Sequence, residues 1–171
     1  MRAFLVVALL PILVAPAFAD PDHAPSSGVR WYGLVDYIAV VTAVPGVGAG
    51  VEIASESDWI SLDVSGGVLP ICFYACTAYD WAGVSLAYHH RLTDHFFVGP
   101  RIAAVDRGVG VSEPTSDDLF GWTSLGLIEV GFRRRTETGW IASASLGAGI
   151  SVQAGDHALG PAISVRVTFG K

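Results

Sequence analysis

The side chains that could do chemistry lie in a few places along the chain. His89 and His90 are adjacent at the end of a predicted strand, and Asp156 and His157 are adjacent in a predicted loop. A His beside an acid can move a proton, and with a hydroxyl such as that of Ser124 it could activate a nucleophile. The spacing places no third catalytic side chain beside either pair. It is simpler to interpret His89 and His90 as residues at the rim of the structure, and Asp156 and His157 as solvated loop residues. The sequence therefore predicts no catalytic site.

Cys72 and Cys76 are the two cysteines of the chain and lie in one predicted loop. An even cysteine count in an exported chain favours a disulfide, with free thiols or a metal site as the alternatives. Two thiolates alone make a poor metal site. Glu113, Asp117 and Asp118 would attract divalent cations, but their spacing matches no calcium loop. We therefore predict a disulfide, no metal centre and no cofactor.

The first residues have the features of a secretory signal. Arg2 is followed by an apolar run over residues 3–15 and by the small-residue cleavage site Ala17-Phe18-Ala19. An anchoring helix is the alternative, but Pro11 and Pro16 interrupt the run. We predict a cleaved signal peptide over residues 1–19, a flexible leader over 20–29 and a single domain over 30–171.

The composition argues against both a nucleic-acid-binding protein and an ordinary soluble domain. The formal net charge is −6, without a basic cluster that could follow a phosphate backbone. The chain is 51% apolar, with a mean hydropathy of +0.50, and its only lysine is Lys171. After the signal peptide, no run of uncharged apolar residues is long enough for a membrane-spanning helix. Because soluble domains normally carry many surface lysines and glutamates, we predict a membrane-embedded sheet.

Glycine and polar clusters divide the chain into eight segments of alternating polarity. The joins after the second, fourth and sixth segments are short, and those after the third, fifth and seventh are long, at 69–79, 107–118 and 154–160. The short join after the first segment, around 43–46, breaks this alternation. Short turns at one rim, long loops at the other and an even strand count are typical of outer-membrane barrels. The predicted strands cover residues 30–42, 46–55, 58–68, 80–91, 95–106, 119–134, 139–153 and 160–169.

One phase of the alternation carries glycines, serines and isolated charges of both signs. An eight-stranded barrel has an interior just wide enough for its own side chains, so small residues belong inside. Buried charges cost several kcal/mol each unless they are paired, so we predict a carboxylate–arginine network that fills the lumen. A solvated face is the alternative, but no lysines accompany these charges. The predicted network comprises Asp36, Glu52, Asp63, His89, Arg101, Glu129 and Arg166.

The opposite phase is aliphatic and suits contact with lipid. Near the short turns it becomes aromatic, which predicts a girdle at the depth of the lipid headgroups. The second girdle is less complete, with Phe120 and Trp122 as candidates. Arg133–Arg135 would face headgroups or water at a short turn, or Arg133 would point inward. The predicted girdle comprises Trp31, Tyr88, Phe96, Phe132, Trp140 and Phe169.

On this pattern the chain resembles the eight-stranded outer-membrane β-barrel superfamily of the OmpA/OmpX type. The resemblance covers the signal peptide and residues 30–171, and it rests on the strand pattern. Members typically end on an aromatic residue, whereas Phe169 is followed here by Gly170 and Lys171. The resemblance implies a monomer in the outer membrane of a Gram-negative bacterium. Its implied partners are outer-membrane lipids, lipopolysaccharide and the barrel-assembly machinery.

We therefore expect an all-β, antiparallel, up-and-down transmembrane barrel with a non-enzymatic structural or surface-interaction role and a plugged lumen. Two alternatives remain open. A lipid A deacylase or acyltransferase-like barrel would need a His, a Ser and an acid near the outer leaflet, and the spacing found in barrel deacylases is absent here. A soluble periplasmic lipocalin-like barrel would point its apolar phase inward.

Overall fold

Eight strands make up the molecule. The computed structural model describes residues 28–39, 45–72, 76–107, 121–154 and 158–171, with the backbone alone at residues 39, 68–72 and 76–79. None of the described residues forms a helix long and apolar enough to cross a membrane. The strands are β1 (Gly28–Ala39), β2 (Gly46–Ala54), β3 (Asp58–Cys72), β4 (Cys76–Arg91), β5 (Phe96–Arg107), β6 (Gly121–Arg135), β7 (Ile141–Gln153) and β8 (Leu159–Gly170).

The strands form a closed antiparallel barrel in sequence order. Each strand pairs with the next, and β1 pairs with β8, where Val35 lies opposite Val167 and Asp36 opposite Arg166. This closure confirms the predicted all-β class, the number of strands and the up-and-down order. It also leaves no sheet edge along the barrel wall.

The two ends of the barrel differ in their connections. Three tight turns lie at one end, called the short-turn end: residues 55–57, 92–95 and 136–140. Each is closed by a backbone hydrogen bond, such as that from the Thr136 amide to the Trp140 carbonyl at 2.7 Å. Gly139 in this turn has φ +87°, a conformation that glycine adopts without steric cost. The opposite ends of the strands define the other end of the barrel, called the long-loop end.

The pairing of β3 with β4 corrects the predicted long loop at 69–79. The two strands stay in register as far as Cys72 opposite Cys76, so most of this segment is a hairpin. Among the described residues, the pairing of β3 with β2 ends at Gly66 opposite Val47, so beyond it β3 pairs with β4 only. Proline is tolerated in segments paired on one side, which accommodates Pro70. The described hairpin therefore extends beyond the last described pairing with β2.

The other strand boundaries agree with the predicted ones to within three residues. Gly28 and Val29 were predicted to lie in the flexible leader. In the structure they belong to β1 and pair with Ala54 and Ile53 of β2. The barrel therefore begins at Gly28. The predicted signal peptide and residues 20–27 of the leader lie outside the described residues.

Polarity is inverted across the barrel wall. Leu62, Leu86, Leu146 and Val165 are exposed on the outside, with Leu146 at 53% exposure. The alternate positions face the interior, where Asp63 is 2% exposed. This alternation follows from the period of two in a strand, which sends successive side chains to opposite faces. The charged residues therefore lie inside and the aliphatic residues outside.

The interior is layered along the barrel axis. An apolar layer lies toward the long-loop end, and a smaller apolar cluster of Ala54, Trp59 and Phe97 lies at the short-turn end. Most of the buried charges lie between these layers. The long-loop layer comprises Ile38, Trp81, Ala103, Val105, Leu125, Leu127 and Ala162.

Close backbone contacts in the barrel wall predict that alanine substitution has different effects on stability at two glycines, Gly149 and Gly126. A Cβ added at Gly149 would overlap the carbonyl oxygen of Gly126 and approach the Leu127 Cα to 2.9 Å, whereas a Cβ at Gly126 would meet no heavy atom within 4 Å. We expect Gly149→Ala to lower the free energy of unfolding by about 1–3 kcal/mol through overpacking. Urea unfolding of the purified protein measures this, with Gly126→Ala as the matched control. Equal midpoints for the two variants would contradict the packing described here.

Candidate functional site

The centre of the barrel interior is organised by Arg101. Its guanidinium binds the Asp36 carboxylate and lies 3.3 Å from Glu129 Oε1. The three side chains come from β5, β1 and β6, and each is at most 1% exposed. One cation thus compensates two carboxylates that belong to strands far apart in sequence.

His89 extends this ion-pair cluster toward the short-turn end. Its Nε2 lies 3.0 Å from Glu129 Oε2. The imidazole stacks on Trp59 at a centroid distance of 5.1 Å and meets the edge of Phe97 at 4.9 Å. The ring is therefore fixed between two aromatic side chains, with one nitrogen on a carboxylate.

A second cluster lies around Asp63. Arg166 binds this carboxylate, Tyr32 Oη donates to Oδ2 at 3.0 Å, and Ser85 Oγ donates to Oδ1 at 2.8 Å. Arg166 also donates to Tyr32 Oη at 3.1 Å. Both oxygens of Asp63 therefore have partners, as a buried carboxylate requires.

A third cluster lies at the short-turn end around Glu52. Arg30 Nη1 lies 3.1 Å from Glu52 Oε1, and Arg133 binds both carboxylate oxygens. The Arg133 guanidinium lies 4.2 Å above the centre of the Trp59 ring, a cation–π contact. These two arginines were absent from the predicted network.

The sequence signal for Arg30 and Arg133 was nevertheless present. Arg30 is in phase with Tyr32 and Asp36, and Arg133 is in phase with Glu129. For Arg133, headgroups or water at the short turn and the interior were both left open. The structure places both arginines inside, because both bind Glu52 and Arg133 also lies over the Trp59 ring.

The interior charges described above balance. Arg30, Arg101, Arg133 and Arg166 oppose four carboxylates, and His89 adds a positive charge only when protonated. All seven residues predicted for the lumen network are buried in the interior. We call the seven, together with Arg30 and Arg133, the bore network. Because removing ions from water costs several kcal/mol each, this balance is a condition for the fold.

The six residues predicted for the aromatic girdle lie at the short-turn end. Phe96 and Phe132 make an edge contact at 5.7 Å, and Trp140 stacks on Phe169 at 4.7 Å with the Lys171 ammonium 5.9 Å from the Trp140 ring centre. Trp31 is 71% exposed and Tyr88 43%. At the long-loop end Trp122 is also exposed, and Phe120 lies outside the described residues.

The residues considered for catalysis are not brought together. His90 lies on the outer face at the short-turn end, where Nδ1 is 2.8 Å from Asp58 Oδ1. Hydrogen bonds from Ser57, then from Tyr88 and His90, hold the pKa of the Asp58 carboxyl well below its usual range. Ser124 is exposed near the other end of β6.

Several other candidates fall where side chains are not described. Asp156, His157, Glu113, Asp117 and Asp118 lie outside the described residues. Cys72 and Cys76 are opposite each other in the backbone register, but their side chains are not described, so the disulfide stays a prediction. Among the described side chains, no three His, Cys, Asp or Glu residues are grouped closely enough to hold a metal ion.

Comparison with known proteins does not assign this chain to a family. No protein-family model matches the chain, and no curated protein is significantly similar to it.

Because Arg101 is shared between two buried carboxylates, we predict that Arg101 and Asp36 are strongly coupled in their contributions to stability. Arg101→Met leaves two buried carboxylates without their cation, so we expect the free energy of unfolding to fall by about 3–5 kcal/mol. A double-mutant cycle with Asp36→Asn separates this interaction from lost packing. The double variant should lose clearly less stability than the sum of the two single variants. Additive losses in urea unfolding would mean that Arg101 and Asp36 do not interact.

Proposed function

We propose that this chain is an integral outer-membrane β-barrel protein, exported with a cleaved signal peptide over residues 1–19. Its role is non-enzymatic, in structural support or surface interaction, and its lumen is closed. The observation that carries this proposal is the inverted polarity of the barrel, with its ion pairs inside and its aliphatic surface outside.

The outer surface is difficult to reconcile with water as the only solvent. The exposed aliphatic side chains include Val47, Ile53, Ile102, Ile128 and Ile150, each more than half exposed. They come from β2, β5, β6 and β7, so the apolar surface continues around the barrel. Exposed apolar patches of this extent mark a surface that meets lipid or another apolar partner.

The charge-free part of this surface has the height of a bilayer core. On β4, Asp80 and His90 bracket nine residues without an outward Asp, Glu, Lys or Arg side chain. Asp94 in the turn before β5 and Asp106 on β5 bracket eleven. A tilted transmembrane strand needs about 9–11 residues to cross the hydrocarbon region. The match supports a membrane-spanning barrel wall.

The aromatic residues support the same placement. Trp31, Tyr88, Phe96, Trp140 and Phe169 are exposed at one end, next to the charged groups that bracket the apolar surface. Aromatic rings collect at membrane interfaces because their apolar faces and polar edges suit the headgroup region. In this placement the short turns face the periplasm and the long loops face the outside.

The filled interior argues against a pore or a soluble carrier. The apolar layer of Ile38, Trp81 and Val105 closes the interior toward the long-loop end, and the ion pairs fill its middle. A lipocalin-like carrier would need an apolar cavity large enough for a ligand. A closed barrel instead leaves the outer loops and the projecting β3–β4 hairpin as the surface for partners.

Cell fractionation tests this proposal directly. With the full chain expressed in a Gram-negative host, we expect the protein in the outer-membrane fraction after a carbonate wash. Without boiling it should migrate faster on a gel than after boiling, because the barrel stays folded. The acyl pattern of lipid A should be the same with and without expression. Recovery from the periplasm without detergent would refute the membrane location, and an altered acyl pattern would refute the non-enzymatic role.

A charge on the outer surface gives a second test. Leu146 is 53% exposed near the middle of β7, and Leu92 is 60% exposed in a short turn. If hydrocarbon surrounds Leu146, Leu146→Arg should make folding into phospholipid vesicles less favourable by about 2–4 kcal/mol. Leu92→Arg is the matched control and should change it little. If the two substitutions have equal effects, water rather than lipid surrounds the middle of β7.

A further inference from the structure

A small cavity lies within the interior toward the short-turn end. Its volume is about 20 Å³, which is room for one water-sized occupant. Side chains from all eight strands line it, among them Glu52, His89, Glu129, Arg133 and Arg166. Five members of the bore network therefore contribute to the lining of this cavity.

Two of the side chains that line the cavity have polar atoms without a partner. Arg166 is 4% exposed, and its Nε and Nη1 have no hydrogen-bond partner within the described part of the chain. The same holds for Nδ1 of His89, which is 5% exposed. Leaving such a buried group unsatisfied is unfavourable, and most of all when it is charged. A polar occupant of the cavity would give these atoms hydrogen-bond partners.

The protonation state of His89 determines which molecule or ion fits the hydrogen-bonding groups of the cavity. Its Nε2 lies 3.0 Å from a Glu129 oxygen, and because an ionised carboxylate only accepts hydrogen bonds, Nε2 carries the proton. In neutral His89, Nδ1 is then an acceptor. Water fits this state, because it can donate to Nδ1 and accept from Arg166 Nη1. In protonated His89, Nδ1 becomes a donor, so both groups offer protons and favour an anion.

The charges around His89 lead to the same conclusion. On β3 and β5 it contacts the uncharged rings of Trp59 and Phe97. The charged groups that share the cavity are Glu129 and Arg133 on β6, Glu52 on β2 and Arg166 on β8.

Both carboxylates on the cavity already bind arginines: Glu52 binds Arg30 and Arg133, and Glu129 binds Arg101. Protonation of His89 would therefore leave the balanced bore network with one surplus positive charge. An uncompensated charge in a buried site costs several kcal/mol, which one bound anion would offset.

We propose that this cavity is an acid-activated site for one monovalent inorganic anion of halide size. The anion lies between Arg166 and protonated His89, and water replaces it when His89 is neutral. The inference goes beyond the proposed function and does not depend on the membrane location.

Bromide is the probe. The purified folded protein in detergent is titrated with bromide, with gluconate keeping the ionic strength constant because gluconate is too large for the cavity. The thermal midpoint is followed at about pH 5 and about pH 8, the range over which histidine side chains in general change charge. Bromide should raise the midpoint at the lower pH, with an apparent affinity at least about tenfold tighter than at the higher pH. Equal affinities at the two pH values would overturn the proposal.

Two variants and one crystal measurement locate the effect. His89→Asn should abolish the acid-specific response to bromide, whereas His90→Asn, on the outer face one residue away, should retain it. Crystals grown with bromide at low pH should show an anomalous peak between Arg166 Nη1 and His89 Nδ1. A response that survives His89→Asn, or the absence of a peak at this site, would refute it. If His89→Asn does not fold, the pH comparison and the anomalous peak decide the question.

Discussion

The narrow interior of an eight-stranded barrel is the constraint on which the rest of this structure depends. A charge placed there loses most of its hydration and must find an opposite charge within the barrel. Arg101 meets this condition by binding Asp36 and lying beside Glu129, which joins β5 to β1 and β6. Arg166 and Asp63 likewise join β8 to β3. Because these partners are distant in sequence, they meet only in a closed barrel of the correct register.

The same ion pairs specify the register of the strands. A slip of one residue in a strand moves all of its side chains to the opposite face. For β5 such a slip would place Arg101 on the apolar outer surface and leave Asp36 and Glu129 without their cation. A slip of β3 would similarly remove Asp63 from Tyr32 and Ser85. The buried charges thus disfavour incorrect pairings, which the repetitive glycine, alanine and serine residues of β7 could not do on their own.

Features that depend on neighbouring residues in one strand could be predicted from the sequence, whereas contacts between strands could not. The alternation along each strand is local, so the eight strands and the inward position of residues such as Asp63 and Arg101 were predictable. The partners were not, because they depend on the stagger between strands. Arg30 and Arg133 were left out of the predicted network although their phase is inward, because their common partner Glu52 depends on the same stagger. The segment 69–79 was predicted as a long loop, and only the register between β3 and β4 reveals that most of it is a hairpin.

The two ends of the interior are closed in different ways, and this difference bears on function. Toward the long-loop end, Trp81, Ile38 and Val105 form an apolar layer that offers no partner to a hydrated ion. Toward the short-turn end, Arg133 packs on Trp59 and binds Glu52, so the closure there combines an ion pair with the small apolar cluster of Ala54, Trp59 and Phe97. An ion entering from the short-turn end could reach the cavity beside His89 but would then meet the apolar layer. This arrangement suits a binding pocket with one entrance better than it suits a conducting path.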